Sequence, residues 1–190
     1  MTMRKSTRVL VAVAGALVLA AGAGVAWTTT HSSTDKASQV RKANDQYKTV
    51  TTAEQQGFDE FHDINGKDCI QMDPMPGMPD MTMGGMGVHF VNGARVQDAS
   101  ETLKQPEAMV YAQDKNDLSL HLAAAEYIVD KATWDKTHTS APELYAGHPF
   151  DTITAPNRFG LPTFYAQHVW LWKHNPAGMF AMWNPDVHCP

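Results

Sequence analysis

The chain has 190 residues with 15 Lys and Arg, 20 Asp and Glu, and 9 His, so its formal net charge is −5. Hydrophobic residues make up 43% of it, which is enough to build a core and excludes a chain that is disordered throughout. The acidic balance argues against a nucleic-acid partner, because phosphate contacts need a basic surface. Two cysteines are too few for a disulfide-dense miniprotein or a cysteine-rich zinc module.

The N-terminus has the pattern of an export signal. Three basic residues among the first eight precede residues 9–26, an uninterrupted run of Val, Leu, Ala and Gly that ends in small residues. Residues 1–26 are therefore predicted to be a cleavable signal peptide or, if uncleaved, a membrane anchor, because this run is just long enough to span a bilayer. In either case the rest of the chain is predicted to be secreted or held in the cell envelope. Membrane contact is expected only through residues 9–26.

The next segments predict a linker, a helix and a loop. Residues 27–34 are polar and predict a linker, after which residues 35–190 form a single globular domain. Residues 35–56 contain no Gly or Pro and carry apolar residues at spacings of three and four, which predicts one long helix bent near Thr49–Thr52. Residues 58–85 show no sustained period and are rich in Gly and Pro, which predicts a long loop.

The second half of the chain predicts a sheet. Alternating or continuous apolar residues predict strands over residues 86–91, 108–112, 118–129 and 163–173. The last of these strands is apolar on both faces, which indicates a central position. One helix followed by several strands favours an α+β fold, in which the long N-terminal helix packs on a mainly antiparallel sheet.

The two cysteines are predicted to form a disulfide. Cys69 and Cys189 lie in a chain predicted to be exported, and two cysteines in an oxidising compartment usually pair. Closing a loop of this length contributes about 4–5 kcal/mol in the chain-entropy model. A redox or metal-binding role for the thiols is the alternative, but no CxxC motif or third cysteine supports it.

A methionine-rich loop spans residues 72–86. Its methionines recur at short intervals among Pro and Gly residues that exclude a helix, and they are Met72, Met75, Met78, Met81, Met83 and Met86. Thioether sulfur is a soft ligand that binds Cu(I) without deprotonation, so the loop is a candidate copper site. The alternative is that the loop folds over the domain and its methionines fill gaps in the packing.

Three residues of unexpected polarity lie on the predicted strands. Period two places Glu126 on the same face of its strand as Leu118, Leu120 and Leu122, where a lone ionised carboxylate would be costly. His89 follows the methionine-rich loop, and His168 lies among aromatic residues of the last strand.

Two imidazoles and a carboxylate are suitable ligands for zinc, copper or iron, and a Glu–His pair also suits acid–base chemistry. His148 lies on a loop and is a further candidate ligand. The alternative is that each of these residues is a satisfied structural group. The motifs GxSxG, GxGxxG, HExxH and CxxCH and the P-loop are all absent from the sequence.

The strings GMGVHFVN, PEAMVY and HVWLWKHNPAGMFAMWNPDVHCP resemble segments of a group of uncharacterised exported bacterial proteins. This group has GMGxHxVN and HxWxWxxNPxGxFxxWNP segments, no established activity, and less methionine in the loop. The resemblance covers most of residues 37–190 and implies one domain with its own fold. The positions that match its strings are His89, Glu107, Glu126, His168, Asn175 and Trp183.

Three functions are compatible with these features. The first is an exported protein that binds a metal through His89, Glu126 and His168, with copper favoured over other divalent metals because the methionine-rich loop is adjacent. The second is a metal-dependent oxidoreductase or hydrolase that uses the same residues. The third is a structural or interaction protein without a metal. The sequence does not identify a protein partner.

Overall fold

A seven-stranded antiparallel sheet forms the framework of the protein. The structure is a computed structural model and describes residues 22–72 and 83–190. The strands are β1 (Asp59–Glu60), β2 (Cys69–Gln71), β3 (Gly85–Val91), β4 (Ala108–Gln113), β5 (Leu120–Asp130), β6 (Asp151–Ile153) and β7 (Phe164–Trp170). Their order across the sheet is β1-β3-β4-β5-β7-β6, and β2 also pairs with β3.

The mainly antiparallel sheet predicted from the sequence is confirmed. All four predicted strands are present, and β7 has neighbours on both sides, as its apolar sequence indicated. The sequence did not predict β1, β2 and β6, which have only two or three residues each. Strands this short carry too few residues for an alternating pattern, and β1 and β2 fall within the segment that was predicted to be a loop.

The helices are short apart from the first. They are α1 (Gly22–Asn44), a 3-10 helix (Asp45–Lys48), α2 (Val50–Gln55), α3 (Gly93–Asp98) and α4 (Lys131–Trp134). The predicted single helix over residues 35–56 is not supported in that form. Thr49 has an extended backbone, with φ −106° and ψ 130°, which interrupts the helix and makes α2 a separate segment. Residues 27–34, predicted as a linker, lie within α1.

One side of the sheet, the helix-facing face, carries the main hydrophobic core. Its strand residues include Val88, Met109, Tyr111, Tyr127 and Val169, all fully or almost fully buried. The N-terminal helical segments contribute Ala37, Val40 and Tyr47 to the same core. The hydroxyl of Tyr111 donates a hydrogen bond of 2.6 Å to the backbone carbonyl of Tyr47. Apolar burial and this bond together fix the N-terminal segment on the sheet.

A β-bulge in β5 decides which residues face the other way. Tyr111 pairs with Leu122 and Val110 pairs with Ala124, so Ala123 is an extra residue with no partner of its own in β4. Side chains alternate between the two faces along a strand, and an extra residue shifts this alternation by one position. Every side chain after the bulge therefore points to the opposite face from the one that strict alternation would give it. Leu122 therefore joins the helix-facing core, whereas Glu126 points to the opposite face. The prediction that Glu126 shares a face with the leucines is wrong for this reason.

The opposite side of the sheet is called the site face. It has two small apolar clusters, one containing Val110, Ala124, Trp170 and Val187, and one containing Ala108, Ile128, Phe164 and Ala166. On β5, Glu126 lies between Ala124 and Ile128, and on β7, His168 lies between Ala166 and Trp170. The site face therefore has a polar centre between two apolar patches.

A disulfide joins Cys69 of β2 to Cys189 near the C-terminus, which confirms the predicted pairing. The bond closes a separation of 120 residues and is compatible with a location outside the cytoplasm. Within residues 22–72 and 83–190, no helix has both the length and the apolar character needed to cross a membrane. Most of the predicted signal, residues 1–21, lies outside the described residues.

Candidate metal centre

Strands β3, β5 and β7 position His89, Glu126 and His168 on the site face. Glu126 on β5 and His168 on β7 are directly opposite each other in the strand pairing. His89 lies on β3, two strands away from Glu126, with β4 between them. The β4 residue that pairs with Glu126 is Ala108. His89 pairs with Val110, two residues further along β4, so the side chains of His89 and Glu126 reach each other diagonally across β4.

Gly87 allows β3 to approach β4 closely just before His89. A Cβ atom at this position would lie 2.4 Å from the carbonyl oxygen of Tyr111, and the φ angle of +103° is one that L side chains rarely adopt. Only glycine fits both conditions. Its presence in the string GMGVHFVN therefore helps to place His89 opposite Val110 of β4.

The donor atoms of the three side chains converge. The distance from His89 Nε2 to Glu126 Oε2 is 3.4 Å, and the distance from His168 Nδ1 to Glu126 Oε1 is also 3.4 Å. The Nε2 atoms of the two histidines are 3.3 Å apart. Each residue thus offers a ligand atom within 4.8 Å of those of the other two, and the group could hold a metal ion.

Each of these distances is close to the separation of two neighbouring donor atoms on one metal ion. In a tetrahedral site with metal–ligand bonds of about 2.0–2.1 Å, neighbouring donor atoms lie about 3.3 Å apart. An N–H···O hydrogen bond is normally shorter, at about 2.7–3.2 Å. The three contacts involve both oxygens of Glu126 and both ring nitrogens of His168, so they do not form one triangle of donor atoms, but one donor atom from each residue lies within 4.8 Å of those of the other two.

The cluster is buried, and burial determines its protonation. The exposed fractions of His89, Glu126 and His168 are 4%, 5% and 2%. Burial raises the pKa of Glu126 to about 8 and lowers the pKa of His89 to about 4. Burial, with a smaller contribution from the neighbouring His89, holds the pKa of His168 well below its usual range. Both imidazoles are therefore neutral at pH 7, which is the form that binds metals.

Aromatic packing orients the imidazole of His168. The ring of Trp170 stacks on it, with ring centroids 6.0 Å apart and an angle of 21° between the planes. The indole Nε1 of Trp170 donates a hydrogen bond of 2.6 Å to the carbonyl of Ala181, which fixes the indole. The rings of His89 and His168 meet edge to face at 86°. The imidazole of His168 is thus held in place by Trp170 as well as by His89.

A cavity of about 240 Å³ opens onto His89 and Glu126. Most of its lining is apolar and consists of Phe61, Val91, Val96, Ile128, Phe159, Leu161 and Phe164, and Gly93 and Gln97 complete it. A larger groove of about 780 Å³ lies between α1 and Trp172, but its lining contains no member of the cluster. The small cavity is therefore the one that bears on the chemistry of the site.

The structure brings together three of the four predicted metal ligands. His148 is not in the group: it is exposed, and its ring lies 4.0 Å from that of Phe180. Its backbone carbonyl accepts a hydrogen bond from Gln167, whose side chain points to the opposite side of β7 from His168. Because His148 was predicted to lie on a loop, no strand periodicity indicated which face of the sheet it would approach.

The methionine-rich loop is only partly described. Met75, Met78 and Met81 lie outside the described residues. Of the others, Met86 is buried in β3, Met72 is half-buried, and Met83 is 48% exposed. These three side chains therefore have different environments, and copper binding by the loop stays a prediction.

Sequence reasoning missed the cavity and the burial of Glu107, a position that only the resemblance had singled out. Phe61, Phe159 and Phe164 come from three distant segments, and no local pattern links them. Glu107 is almost fully buried, and its Oε2 accepts a hydrogen bond from the backbone N–H of Ile128.

Comparisons of the chain with known protein families, with curated proteins and with solved structures gave no match.

Proposed function

We propose that this protein binds one divalent transition-metal ion between His89, Glu126 and His168. The observation that carries the proposal is the convergence of His89, Glu126 and His168 from three strands in a buried site, where one donor atom from each residue lies within 4.8 Å of those of the other two. A buried ionised carboxylate without a metal ion or a cation is costly, and within the described part of the chain the basic side chains in contact with Glu126 are two imidazoles whose lowered pKa values keep them neutral.

The donor set favours zinc as the ion. Two imidazoles and a carboxylate suit Zn²⁺, Fe²⁺ and Cu²⁺, and both imidazole nitrogen and carboxylate oxygen are common zinc ligands. Cu⁺ prefers thioether or thiolate sulfur, and the His–Glu–His group contains no sulfur ligand. We therefore propose zinc as the ion of the His89–Glu126–His168 cluster. Copper binding is a separate proposal that depends on the methionine-rich loop.

We also propose that the protein functions outside the cytoplasm. The disulfide between Cys69 and Cys189 supports this location, because such bonds persist in oxidising compartments. The run of apolar residues at positions 9–26, preceded by basic residues, supports export by a signal peptide or retention by an N-terminal anchor.

A metal-dependent enzyme is the second candidate function. Structural zinc sites have four protein ligands, whereas catalytic sites have three and leave a position for water or substrate. Here three residues converge and a cavity reaches two of them. This arrangement favours a site in which a small molecule approaches the ion.

The proposal is tested by metal titration of the full chain with its disulfide intact. We expect the metal-free protein to take up one equivalent of Zn²⁺, measured by calorimetry, and Co²⁺ to give the visible absorption of a tetrahedral site. Glu126→Gln should weaken zinc binding by about 100-fold or more, since it removes the charged ligand. Glu54→Gln, at an exposed position, is the matched control and should bind zinc as the unmodified protein does.

Near-ultraviolet circular dichroism shows whether each variant is folded. Equal zinc binding by Glu126→Gln and the unmodified protein would contradict the proposal. Failure of the folded, unmodified protein to bind any of zinc, iron(II) or copper would contradict it as well.

A further inference from the structure

The cavity beside the cluster is larger than a metal ion and its water ligands need. Its volume is about 240 Å³, whereas one water molecule occupies about 30 Å³ in the liquid. It reaches His89 and Glu126 but not His168, so its contents would approach the ion from one side. A site that only stored or sequestered an ion would gain nothing from an apolar space of this kind.

The walls of the cavity are aromatic and aliphatic. Phe159 contacts both Phe61 and Phe164, with ring centroids 6.1 Å and 5.9 Å apart. Val91, Val96 and Ile128 provide the rest of the apolar wall. Aromatic and branched side chains of this kind bind rings and branched alkyl groups by burying apolar surface.

Polar groups lie at the base and at the rim of the cavity. His89 and Glu126, both almost fully buried, form the base, and the exposed residues Gly93, Gln97 and Leu161 form the rim. Among the described residues, no Lys or Arg contributes to the lining. A ligand therefore meets polar chemistry at one end, and its body meets apolar surface.

We propose that the cavity binds a small molecule whose body is one aromatic ring or one branched alkyl group. The molecule carries one head group with oxygen donor atoms, and this head group points to His89 and Glu126. The inference rests on the proposed function, because the head group would complete the coordination of the ion. A divalent ion with one carboxylate ligand leaves one positive charge, which suits a monoanion such as a carboxylate, a phenolate or a hydroxamate. A second negative charge would find no cation in this lining.

The size of the cavity limits the ligand to about one ring. Cavities that hold drug-sized molecules are typically about 300–1,000 Å³, and this one is smaller. A phenyl ring with a short head group fits this volume. Polysaccharides, peptides and nucleotides are excluded as ligands enclosed by this cavity, since each has several rings or several charges.

The test compares two hydroxamates that share a head group. Benzohydroxamate carries a phenyl ring, whereas acetohydroxamate carries only a methyl group. We expect the zinc-loaded full chain to bind benzohydroxamate about 30-fold more tightly than acetohydroxamate in calorimetric titrations, because the ring buries more apolar surface in the cavity. Equal affinities for the two probes would overturn the proposal.

Variants of Val96 show where the preference arises. Val96 is half-buried on α3, lines the cavity and is not a member of the cluster. Val96→Phe fills the cavity and should abolish the preference for the phenyl probe over acetohydroxamate. Val96→Ala should retain the preference. Val91→Phe fills the cavity from β3 and replaces Val96→Phe if that variant does not fold. A preference that survives a folded cavity-filling variant would place the probe elsewhere and overturn the proposal.

The two proposals fail in different ways. If zinc binds but the phenyl ring gives no advantage, the metal site stands and the ligand class is wrong. If the protein binds no metal, the proposed function fails, and the same probes are titrated into the metal-free protein. A phenyl preference that Val96→Phe removes would then still support the cavity as a ligand site, and its absence would overturn this inference too.

Discussion

The two faces of the sheet are built from the same strands but bury different chemistry. On the helix-facing face, Met109, Tyr111 and Tyr127 pack beneath the N-terminal helical segments in a continuous core. On the site face, Glu126 of β5 and His168 of β7 occupy positions that alternate with core residues of those strands, and they lie between two small apolar clusters. The comparison indicates that stability comes mainly from one face, which leaves the other free to hold a costly polar group.

The largest effect on stability is expected from removal of the disulfide. The double variant Cys69→Ser/Cys189→Ser opens a loop of 120 residues and should lower the free energy of unfolding by about 2–5 kcal/mol. Cys69 packs in the helix-facing core, so this change weakens the face that carries stability. Chemical denaturation measures the loss, and the single variant Cys189→Ser should lose the same amount. An unchanged midpoint in both would contradict the account.

The next largest effect is expected from a core substitution on the helix-facing face. Met109→Ala removes a fully buried side chain from β4 and should cost about 2–5 kcal/mol of unfolding free energy. Zinc affinity should change little, because Met109 points away from the cluster. Met179→Ala, at a position that is 37% exposed, is the control and should cost far less. If Met109→Ala weakened zinc binding as strongly as Glu126→Gln, the two faces would not be separable.

A pH-dependent effect is expected from Glu107, a buried acid outside the cluster. Burial, with a contribution from nearby Glu101, raises the pKa of Glu107 from 4.5 to about 9. Between these values the folded state keeps a proton that the unfolded state has lost, so stability should fall as the pH rises. One such group gives a slope of about 1.4 kcal/mol per pH unit.

The variant Glu107→Gln isolates that contribution. Its amide oxygen can still accept the hydrogen bond from Ile128, and its unfolding free energy should depend less steeply on pH between 5 and 8 than that of the unmodified protein. Denaturation of the metal-free proteins at several pH values provides the comparison. Parallel pH profiles for the two proteins would show that Glu107 is ionised in the folded state and would sink the prediction.

The smallest effect on stability is expected at the metal cluster itself. Glu126→Gln replaces a buried carboxyl group by an amide of the same shape and should change the stability of the metal-free protein by no more than about 1 kcal/mol. Added zinc should raise the melting temperature of the unmodified protein but not that of the variant, because only a bound ion stabilises the folded state. A zinc-dependent increase of equal size in both would place the ion elsewhere.

The sequence predicted the main strands and the three converging residues, because period-two patterns report strands and a buried carboxylate among apolar residues is conspicuous. It did not predict the neighbours of Glu126. The bulge at Ala123 reverses the direction of the side chains in the middle of β5, and no residue type in that string signals it. The cavity was also out of reach, since Phe61 and Phe159 meet only through the tertiary fold.

The measurement that tests the central claim most directly is X-ray absorption spectroscopy at the zinc edge, combined with anomalous diffraction from crystals of the zinc-loaded protein. We predict one ion within about 2.0–2.2 Å of two imidazole nitrogens and a carboxylate oxygen, which belong to His89, His168 and Glu126. An ion coordinated by other histidines or by methionine sulfur, or the absence of any ion between these three side chains at equimolar zinc, would contradict the account.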